Sequence, residues 1–285
     1  MITVKELNKS FGSKSVLENI NIDFEPGKVY GLLGRNGAGK TTLMRILSNY
    51  IVHYKGNVEL DGKPIKENQK AIERILMIHK DMLPKAVADE RIKTIFKFCA
   101  QLLPKWDSEL SASLIADFDI DVKAKYARLS EGNKTLINLI IGLSSGADVK
   151  LFDEPSVGLD ANNRFKFYKK LLEVHETAGD TVIVSSHIID EIENVIEDVI
   201  IIKDCKILLN DEIANIQQKA IALTGYDELL QDIQNNKCVL EVETLGKMTK
   251  ISLFDDLSQD ERQDLISKGV EISVIPLQRF FIHLT

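Results

Sequence analysis

A glycine-rich segment near the amino terminus carries the residue types that bind phosphate groups. It reads Gly34-Arg35-Asn36-Gly37-Ala38-Gly39-Lys40-Thr41 and fits the pattern GxxxxGK followed by Ser or Thr. Glycines let the backbone curl so that successive N–H groups point inward, and a helix starting near Gly39 would add the positive end of its dipole. Lys40 would place a point charge near the outer phosphates, and the Thr41 hydroxyl can ligate Mg²⁺. The segment therefore predicts a site for a nucleoside triphosphate.

Two adjacent carboxylates follow a second apolar segment of the chain. Asp153 and Glu154 come directly after Leu151-Phe152, at the end of a predicted buried strand. Ligands of open α/β sheets bind at the carboxyl ends of the strands. Asp153 could hold Mg²⁺ directly or through water, and Glu154 could accept a proton from an attacking water. Taken alone, the pair could also be a strand end before a solvated turn, but the phosphate-binding loop upstream favours the functional interpretation.

A histidine follows a third apolar segment. His187 comes after the predicted strand Thr181–Ser185, and the spacing of Ile189, Ile192 and Ile196 beyond it predicts a helix. The imidazole could hydrogen-bond a γ-phosphate and hold the attacking water. An isolated histidine at a strand end is more often structural, so this interpretation depends on the loop and the carboxylates. The other histidines show no metal-ligand spacing.

These side chains need strands to position them. Apolar runs predict strands at Val29–Leu33, Ile75–Ile78, Val149–Phe152, Thr181–Ser185 and Val199–Ile202. Segments whose apolar residues recur at helical spacing separate several of these strands. One example follows the phosphate-binding loop and contains Leu43, Ile46 and Leu47. Strands that alternate with helices predict a mostly parallel sheet that is covered on both faces.

Two stretches of the chain depart from this alternation. Residues from about 85 to 145 show helical periodicity and little strand signal, over Glu90–Leu103, Asp107–Phe118 and Glu131–Leu143. We expect them to form a helical insertion within an α/β core that spans residues 1–210. Beyond Asp211 the pattern is weaker, with one helix, two possible strands and the ending Val274-Ile275-Pro276-Leu277-Gln278-Arg279-Phe280-Phe281. Residues 211–285 are therefore expected to form an accessory extension.

Composition and charge exclude several classes of protein. The 285 residues are 44% hydrophobic and 28% charged, as in an ordinary folded protein, and the net charge of −7 opposes bulk binding to a phosphate backbone. We therefore expect no nucleic-acid partner. Three cysteines without a CxxC spacing argue against a disulfide framework or a zinc cluster. Because no apolar run approaches the roughly 20 residues of a membrane span and the start lacks a signal-peptide core, we expect neither membrane insertion nor secretion.

A fourth motif precedes a predicted helix ahead of the carboxylates and reads Leu129-Ser130-Glu131-Gly132-Asn133. A phosphate-binding loop alone could belong to a kinase or a GTPase. With this motif, Asp153-Glu154-Pro155, Ser156–Asp160 and His187 added, the chain resembles the ABC transporter ATPase family over roughly Met1 to Asn210. The resemblance implies an α/β fold, with a P-loop NTPase core, a mostly parallel sheet, an N-terminal antiparallel β region, an inserted helical subdomain and a small C-terminal α/β extension.

The resemblance also implies how the nucleotide is bound. Phe11 would stack on the adenine ring of ATP, since an aromatic ring offers a π face. Ser130 and Gly132 would contact the γ-phosphate of a nucleotide held by a second subunit, and Asp160 occupies the D-loop position between the two sites. The expected nucleotide contacts on the phosphate-binding loop are Gly34, Arg35, Asn36, Gly37, Ala38, Gly39, Lys40, Thr41 and Thr42.

The same resemblance implies the catalytic roles. Glu154 matches the catalytic base, and His187 matches the switch histidine. Lys40 and a bound Mg²⁺ would stabilise the charge of the transition state, with Thr41 and Asp153 as ligands of the metal. The expected cofactors are therefore ATP and Mg²⁺.

Two positions depart from the family pattern. After the strand Ile75–Ile78 the family has a Gln that touches Mg²⁺ and the water, whereas this chain reads His79-Lys80-Asp81 with Lys80 as the best-aligned residue. A lysine brings a positive charge where an amide oxygen would ligate the metal. The common signature LSGGQ is LSEGN here, so Glu131 adds a negative charge near the trans phosphate.

The resemblance implies the partners and the location as well. ATP would join two cassettes, in a homodimer or a heterodimer, and the cassettes would drive a separate transmembrane permease from the cytoplasmic face of the membrane. The carboxyl-terminal ending is similar to tails of a subgroup that exports peptides, lipids or drugs, although Pro276 and the paired Phe280-Phe281 could equally be core packing.

Two alternatives stay open at this point. A regulatory module that associates on ATP with little turnover is favoured by Lys80 and Glu131 and opposed by Glu154 and His187. A soluble motor of the same family that acts on ribosomes or DNA would resemble tandem cassettes or carry long coiled coils, and the sequence shows neither.

Overall fold

The computed structural model describes residues 1–285, the side chain of residue 245 excepted, and the chain divides into two compact units. The core unit comprises Met1–His187 and Asn194–Asn210, and the C-terminal unit comprises Ile188–Glu193 and Asp211–Thr285. The division at residue 210 into a cassette and an accessory extension stays a prediction, and the C-terminal unit also takes in the short segment after His187. None of the helices in the described residues combines enough length with enough hydropathy for a bilayer crossing.

The core unit consists of strands interrupted by helices. In chain order its elements are β1 (Ile2–Phe11), β2 (Lys14–Phe24), β3 (Val29–Leu33), α1 (Lys40–Leu47), β4 (Lys55–Leu60), β5 (Lys63–Pro64), α2 (Gln69–Ile72), β6 (Ile75–Ile78), α3 (Ile92–Leu102), α4 (Ser108–Asp117), α5 (Glu131–Ser144), β7 (Val149–Asp153), α6 (Ala161–Ala178), β8 (Thr181–Ser186), β9 (Asp198–Lys203) and β10 (Lys206–Glu212), the last of which leads into the C-terminal unit.

The central sheet has the strand order β10-β9-β3-β8-β7-β6. β3 runs parallel to β8 and β9, and β7 runs parallel to β6 and β8. Every residue of β3 and β8 is buried, as expected for central strands of a parallel sheet that is covered on both faces. The predicted mostly parallel sheet is confirmed, and the loops after β3, β7 and β8 all leave it at the same edge.

A second sheet has the order β2-β1-β4-β5 and is antiparallel. Val4 of β1 pairs with Ile22 on one side and with Val58 on the other. The buried side chains of this sheet join Leu43 and Leu47 of α1 in one hydrophobic cluster. The predicted N-terminal antiparallel region is therefore confirmed, and it supports the helix that follows the phosphate-binding loop.

The helical insertion lies between β6 and β7 and contains α3, α4 and α5. Asp107 and Ser130 are the N-caps of α4 and α5, because their side chains accept the N–H groups of Leu110 at 2.9 Å and Asn133 at 3.2 Å. The insertion confirms the expected helical subdomain. It also places the LSEGN motif at the start of a helix.

The segment after His187 differs from the prediction. A 3₁₀ turn over Ile189–Glu191 stands where the sequence predicts a helix. Ile189 and Ile192 are both buried, and a turn with three residues per repeat brings two side chains spaced by three to the same side. The spacing of the isoleucines therefore correctly indicated that their side chains are buried, but a single 3₁₀ turn is enough to bury them.

The C-terminal unit has a sheet of its own. After β10 its elements are α7 (Ile213–Lys219), β11 (Ala220–Tyr226), α8 (Asp227–Asn236), β12 (Val239–Leu245), β13 (Met248–Phe254), α9 (Gln259–Ser267), β14 (Glu271–Val274) and α10 (Leu277–Leu284). The strands pair antiparallel in the order β12-β13-β11-β14 around Ile221, Leu223, Ile251 and Leu253. The sequence predicted one helix and two strands in this region, which is fewer than the structure contains. The others were missed because short strands that alternate apolar and polar residues give a weak sequence signal.

Candidate active site

The phosphate-binding loop joins the carboxyl end of β3 to α1. Within it the N–H of Ala38 donates to the Arg35 carbonyl at 3.1 Å and closes a turn. Gly39, the N-cap of α1, has φ of 114°, and a Cβ there would lie 2.8 Å from the carbonyl oxygen of Val16. A side chain at this position would be both strained and blocked, so glycine is required where the loop passes into the helix.

The loop lines a cavity of about 430 Å³, a size that suits a small-molecule ligand. Glu154 and His187, which follow β7 and β8, line the same cavity. The full lining comprises Val16, Arg35, Asn36, Gly37, Ala38, Gly39, Lys40, Thr41, Thr42, Glu154, Val157 and His187. The structure thus brings together the loop, one of the two carboxylates and the histidine that the sequence singled out.

Lys40 is the first residue of α1, and its side chain is buried. Its Nζ donates to the Gly34 carbonyl at 2.7 Å and lies 3.5 Å from Oε1 of Glu154. Two oxygen partners therefore hold the ammonium at the cavity wall, beside the start of the helix. A positive charge in this place suits the outer phosphates of a nucleotide.

Asp153 is held by two hydroxyl groups. Its Oδ1 accepts from Thr41 Oγ1 at 3.1 Å and from Ser185 Oγ at 2.7 Å. The Ser185 Oγ in turn accepts the backbone N–H of Glu154 at 3.0 Å. Ser185 is fully buried at the end of β8, and one hydroxyl therefore orients the first carboxylate and fixes the backbone of the second.

The oxygen atoms of Thr41 and Asp153 fit a magnesium ion. Mg²⁺ takes oxygen ligands and is usually bound by one or two carboxylates together with substrate phosphates, rather than by an all-protein cage. The described residues contain no cluster of three or more His, Cys, Asp or Glu side chains that could hold a metal ion. Thr41 is the last residue of the phosphate-binding loop and contacts Asp153, so phosphate oxygens of a bound nucleotide would complete the ligands of the metal.

Glu154 has a left-handed backbone conformation, with φ of 51°. Such a conformation costs a non-glycine residue roughly 1–2 kcal/mol, so the hydrogen bond from its N–H to Ser185 helps to stabilise it. The side chain lies between two partners, because Oε2 is 2.6 Å from Nδ1 of His187 and Oε1 is 3.5 Å from Nζ of Lys40. The carboxylate is thereby fixed at the cavity wall, as a general base requires.

Six of the predicted site residues do not line this cavity. Gly34 and Asp153 contact residues that do, namely Lys40 and Thr41, whereas the other four lie on elements away from the loop. Phe11 is half exposed at the end of β1, and the Lys9 ammonium lies 4.6 Å from its ring centroid. Ser130 and Asp160 are the N-caps of α5 and α6. A Cβ at Gly132 would lie 2.7 Å from the carbonyl oxygen of Gly158, so the LSEGN motif packs closely on the loop that leads to Asp160.

Lys80 also lies outside the cavity lining, and its side chain is exposed. Its carbonyl and that of His79 accept from Nδ2 of Asn138 at 3.3 and 3.1 Å. Asn138 is buried in the middle of α5, so this amide ties the loop after β6 to the helix that carries the LSEGN motif. Burial lowers the pKa of His79, and the charge of Arg45 adds to that effect.

Glu131, the second departure from the family pattern, has an exposed side chain. Its Oε1 accepts from Nζ of Lys134 at 2.7 Å, one turn further along α5. The negative charge is therefore partly balanced within its own helix. Ion pairs this exposed contribute little to stability, so the pair mainly sets the direction of the Glu131 side chain.

Ser185 and Asn138 are the two residues of this region that the sequence reasoning missed. Ser185 is a polar residue at the end of an otherwise apolar strand, and it pairs in register with Asp153. Asn138 is a polar residue on the buried face of an apolar helix. In both cases the available signal was a polar side chain at a position that the apolar pattern marks as buried.

Comparison with known proteins agrees with these features. A family model described as "ABC transporter" matches residues 17–157. An uncharacterized ABC transporter ATP-binding protein of Methanocaldococcus jannaschii is 31% identical over 276 residues, which cover 91% of this chain and 98% of that protein. The lantibiotic transport ATP-binding protein SrtF of Streptococcus pyogenes is 27% identical over 245 residues, covering 85% and 99%. Other relatives are named as galactose and ribose importers.

The fold is shared with solved structures. One is a dimeric post-hydrolysis state of an ATP-binding cassette bound to ADP and phosphate. It superimposes with a TM-score of 0.64 at 19% identity, over 75% of this chain and 99% of that one. At this level of identity the match shows the cassette fold only, and the chemistry has to be inferred from the residues of the site.

Proposed function

The chain belongs to the family of ABC transporter ATP-binding proteins, and from that premise we propose that it hydrolyses ATP to drive a separate membrane subunit. Members of this family are ATPases that bind ATP. The observation that carries the proposal for this chain is the shared cavity, which the phosphate-binding loop, Glu154 and His187 line together. A loop alone would support binding, whereas the base and the histidine support turnover.

Binding of ATP follows from the loop and its helix. Backbone N–H groups around Gly37 and the start of α1 would hold the phosphates, with Lys40 near the outer ones. Thr41 and Asp153 would hold Mg²⁺, which when bound balances the negative charge of the phosphates. Phe11 would contribute the adenine contact from the end of β1, where its exposed ring is available.

Hydrolysis follows from the position of Glu154. Its carboxylate is fixed between Lys40 and His187 and can accept a proton from a water that lies beside the terminal phosphate. His187 would orient this carboxylate through Nδ1 and contact the phosphate with the rest of its ring. Lys40 would stabilise the charge that develops in the transition state.

Association on ATP is the part of the proposal that needs a second cassette. Ser130, Gly132 and Asp160 do not line the cavity of their own chain, and this arrangement supports a role toward the nucleotide of a partner. ATP would then stabilise the closed pair through its γ-phosphate, and ADP would not, because a ligand shifts an equilibrium only by its differential affinity. The partner would be a second copy of this chain or a related cassette.

The membrane partner and the direction of transport complete the proposal. The helical insertion, α3 to α5, would transmit closure to a transmembrane permease, which would hold the chain at the cytoplasmic face of the membrane. The direction proposed is export, of a peptide, a lipid or a drug; among the relatives, one is named for lantibiotic transport and one for linearmycin resistance, whereas others are named for import of sugars. Transport of a labelled cargo into or out of vesicles that hold the permease would decide the direction.

The runner-up is an association module with little turnover. Its support is Lys80, which occupies the sequence position at which the family has a Gln that ligates the metal. The side chain of Lys80 is exposed and does not line the cavity. Glu154 and His187 oppose it, since a module without turnover has no use for a fixed base.

Steady-state hydrolysis distinguishes the two functions. We expect the purified chain to hydrolyse Mg-ATP, and we expect Glu154→Gln to lower the rate by about 10²–10⁴-fold while ATP binding is kept. Glu176→Gln, an exposed residue of α6, is the matched control and should leave the rate unchanged. A wild-type rate as low as that of Glu154→Gln would support the association module instead, and equal high rates would remove Glu154 from the role of base.

A further inference from the structure

A second concave surface of the core unit is basic. It is an open groove of about 990 Å³, larger than the cavity at the phosphate-binding loop. The described residues that line it include a single carboxylate, that of Glu18, and these four lysines: Lys9, Lys55, Lys66 and Lys206. Because the whole chain has a net charge of −7, the charge of this groove is opposite in sign to that of the protein.

The groove and the nucleotide cavity are separate. Among the described residues, none lines both. Strand β2 divides them, since Val16 lines the cavity and its neighbour Ser15 lines the groove, and successive side chains of a strand point to opposite faces. A ligand in the groove would therefore not occupy the place of the nucleotide.

The four lysines come together from separate elements of the core unit. Lys9 lies on β1, Lys55 begins β4, Lys66 follows β5 and Lys206 begins β10. Like charges on one surface repel each other, and a cleft lined by charges of one sign concentrates ions of the opposite sign. The groove is therefore suited to an anion.

Two of these lysines are not paired within the protein. The Nζ of Lys206 lies 4.0 Å from Oε2 of Glu18, and the Nζ of Lys9 donates to the His53 carbonyl at 2.7 Å. Lys55 and Lys66, in contrast, have exposed side chains that make neither an ion pair nor a hydrogen bond in the described part of the chain. Their ammonium groups are thus available to a ligand.

The wall beside these lysines is fixed by packing. The Lys9 ammonium lies 4.6 Å from the centroid of the Phe11 ring and, through the His53 carbonyl, connects β1 to the segment before β4. The ring of Tyr54, which lines the groove, packs against the hydrophobic cluster of the core unit. Burial raises the pKa of the Tyr54 hydroxyl, so this group keeps its proton and can donate a hydrogen bond.

We propose that this groove binds an anion with phosphate groups, held by Lys55 and Lys66 together with Lys206. Ammonium groups form charge-assisted hydrogen bonds to phosphate oxygens, and lysine is a common phosphate ligand in proteins. The anion is a soluble phosphate compound or the headgroup of an anionic phospholipid, since both present the same oxygen atoms. The proposal does not depend on the ATPase function, because it uses none of the residues of the nucleotide cavity.

Calorimetry with pyrophosphate tests this site. The titration uses full-length Lys40→Ala, so that the phosphate-binding loop does not compete for the probe. We expect saturable binding, and adding Lys55→Gln and Lys66→Gln together should weaken it by about tenfold or more, because each change removes a hydrogen bond to a charged group.

The matched control removes the same charge elsewhere. Lys93→Gln and Lys97→Gln together take two exposed lysines from α3 and should leave the pyrophosphate affinity unchanged. Both pairs of lysines are exposed, so both double variants should fold, and urea denaturation checks this. Should the groove variant be less stable than the control, Lys66→Gln alone takes its place.

Flotation with vesicles distinguishes the two sources of the phosphate. The vesicles consist of phosphatidylcholine alone or of phosphatidylcholine with phosphatidic acid. Binding that requires phosphatidic acid and is lost in the Lys55 and Lys66 double variant would assign the groove to a lipid headgroup. Pyrophosphate binding without vesicle binding would assign it to a soluble phosphate compound.

Two results would overturn the proposal. One is the absence of saturable binding to both pyrophosphate and phosphatidic acid. The other is an equal loss of binding in the α3 control, which would show that the probe responds to net charge and not to the groove. Neither result bears on ATP hydrolysis, and a chain without turnover would leave the anion site standing.

Discussion

Asp153 and Ser185 are register partners on the adjacent parallel strands β7 and β8, and the serine hydroxyl donates to Oδ1 of the aspartate at 2.7 Å. The same hydroxyl accepts the N–H of Glu154 at 3.0 Å. The hydroxyl thus donates its proton to Asp153 and accepts a hydrogen bond from the next residue, Glu154, and these two residues have different roles. This geometry separates the carboxylate that suits the metal from the carboxylate that suits the water.

Replacement of this serine should therefore affect both carboxylates. We expect Ser185→Ala to lower the rate of ATP hydrolysis by about tenfold and to raise the Mg²⁺ concentration needed for half-maximal rate. Leaving the buried N–H of Glu154 without its acceptor should cost about 1–3 kcal/mol of stability. Ser48→Ala removes another buried hydroxyl, one that donates to the Met44 carbonyl at 2.8 Å, and should leave the Mg²⁺ dependence unchanged. An unaltered Mg²⁺ titration for Ser185→Ala would contradict the role assigned to this hydroxyl.

The difference between what the sequence predicted and what it missed follows from distance along the chain. The phosphate-binding loop was found because its glycines and its lysine lie within eight consecutive positions, Gly34–Thr41, whose backbone geometry they determine themselves. Ser185 was missed because its role depends on the register between two strands. Asn138 was missed because its amide contacts the carbonyls of His79 and Lys80, 59 and 58 positions earlier in the chain. Non-local pairing of this kind is set by tertiary packing and leaves no periodic pattern.

Lys40→Ala should weaken nucleotide binding. The Lys40 ammonium lies buried beside the loop, and we expect its loss to lower ATP affinity by about 10- to 100-fold, the scale of one hydrogen bond to a charged group. Isothermal titration calorimetry with ATP measures the change directly. Lys169→Ala removes an exposed lysine of α6 and serves as the control. An ATP affinity equal to that of the wild type would refute the assignment of the loop.

Two of the free cysteines, Cys99 and Cys238, should differ in reactivity. Burial raises the pKa of the Cys99 thiol to about 11, so at pH 8 this residue stays in the unreactive thiol form. Cys238 is exposed. We expect iodoacetamide at pH 8 to label Cys238 at least tenfold faster than Cys99, as followed by peptide mass spectrometry. Labelling of Cys99 should increase as the pH rises toward 11, and equal labelling of the two residues at pH 8 would count against the burial of Cys99.

A buried ion pair supports the far end of β8. Lys150 Nζ lies 2.5 Å from Oδ2 of Asp180, and both side chains are almost fully buried. His175 Nδ1 lies 3.1 Å from the other oxygen of Asp180. Removing one partner of a buried pair leaves an uncompensated charge, so Asp180→Ala should lower the free energy of unfolding by about 3–5 kcal/mol. Urea denaturation measures the loss.

The matched control for this pair is exposed. Asp89 lies 3.5 Å from Nζ of Lys125 with 91% of its side chain accessible, and Asp89→Ala should cost at most about 1 kcal/mol. Similar losses for Asp180→Ala and Asp89→Ala would show that the buried pair is solvated in solution.

Ser130 provides the sharpest test of association on ATP. Its side chain caps α5 and does not line the cavity of its own chain, so a phosphate contact from this residue requires a second cassette. Glu154→Gln should slow hydrolysis enough to accumulate an ATP-bound dimer of this chain, and light scattering after size-exclusion chromatography with Mg-ATP measures its mass. Adding Ser130→Ala should reduce the dimer fraction by about tenfold or more, as expected for the loss of a hydrogen bond to a charged phosphate.

Loss of the cap itself costs about 1 kcal/mol, and Asp107→Ala, which removes the cap of α4, controls for that effect. If Ser130→Ala and Asp107→Ala reduce the dimer equally, Ser130 acts through its helix and the contact across two cassettes is wrong.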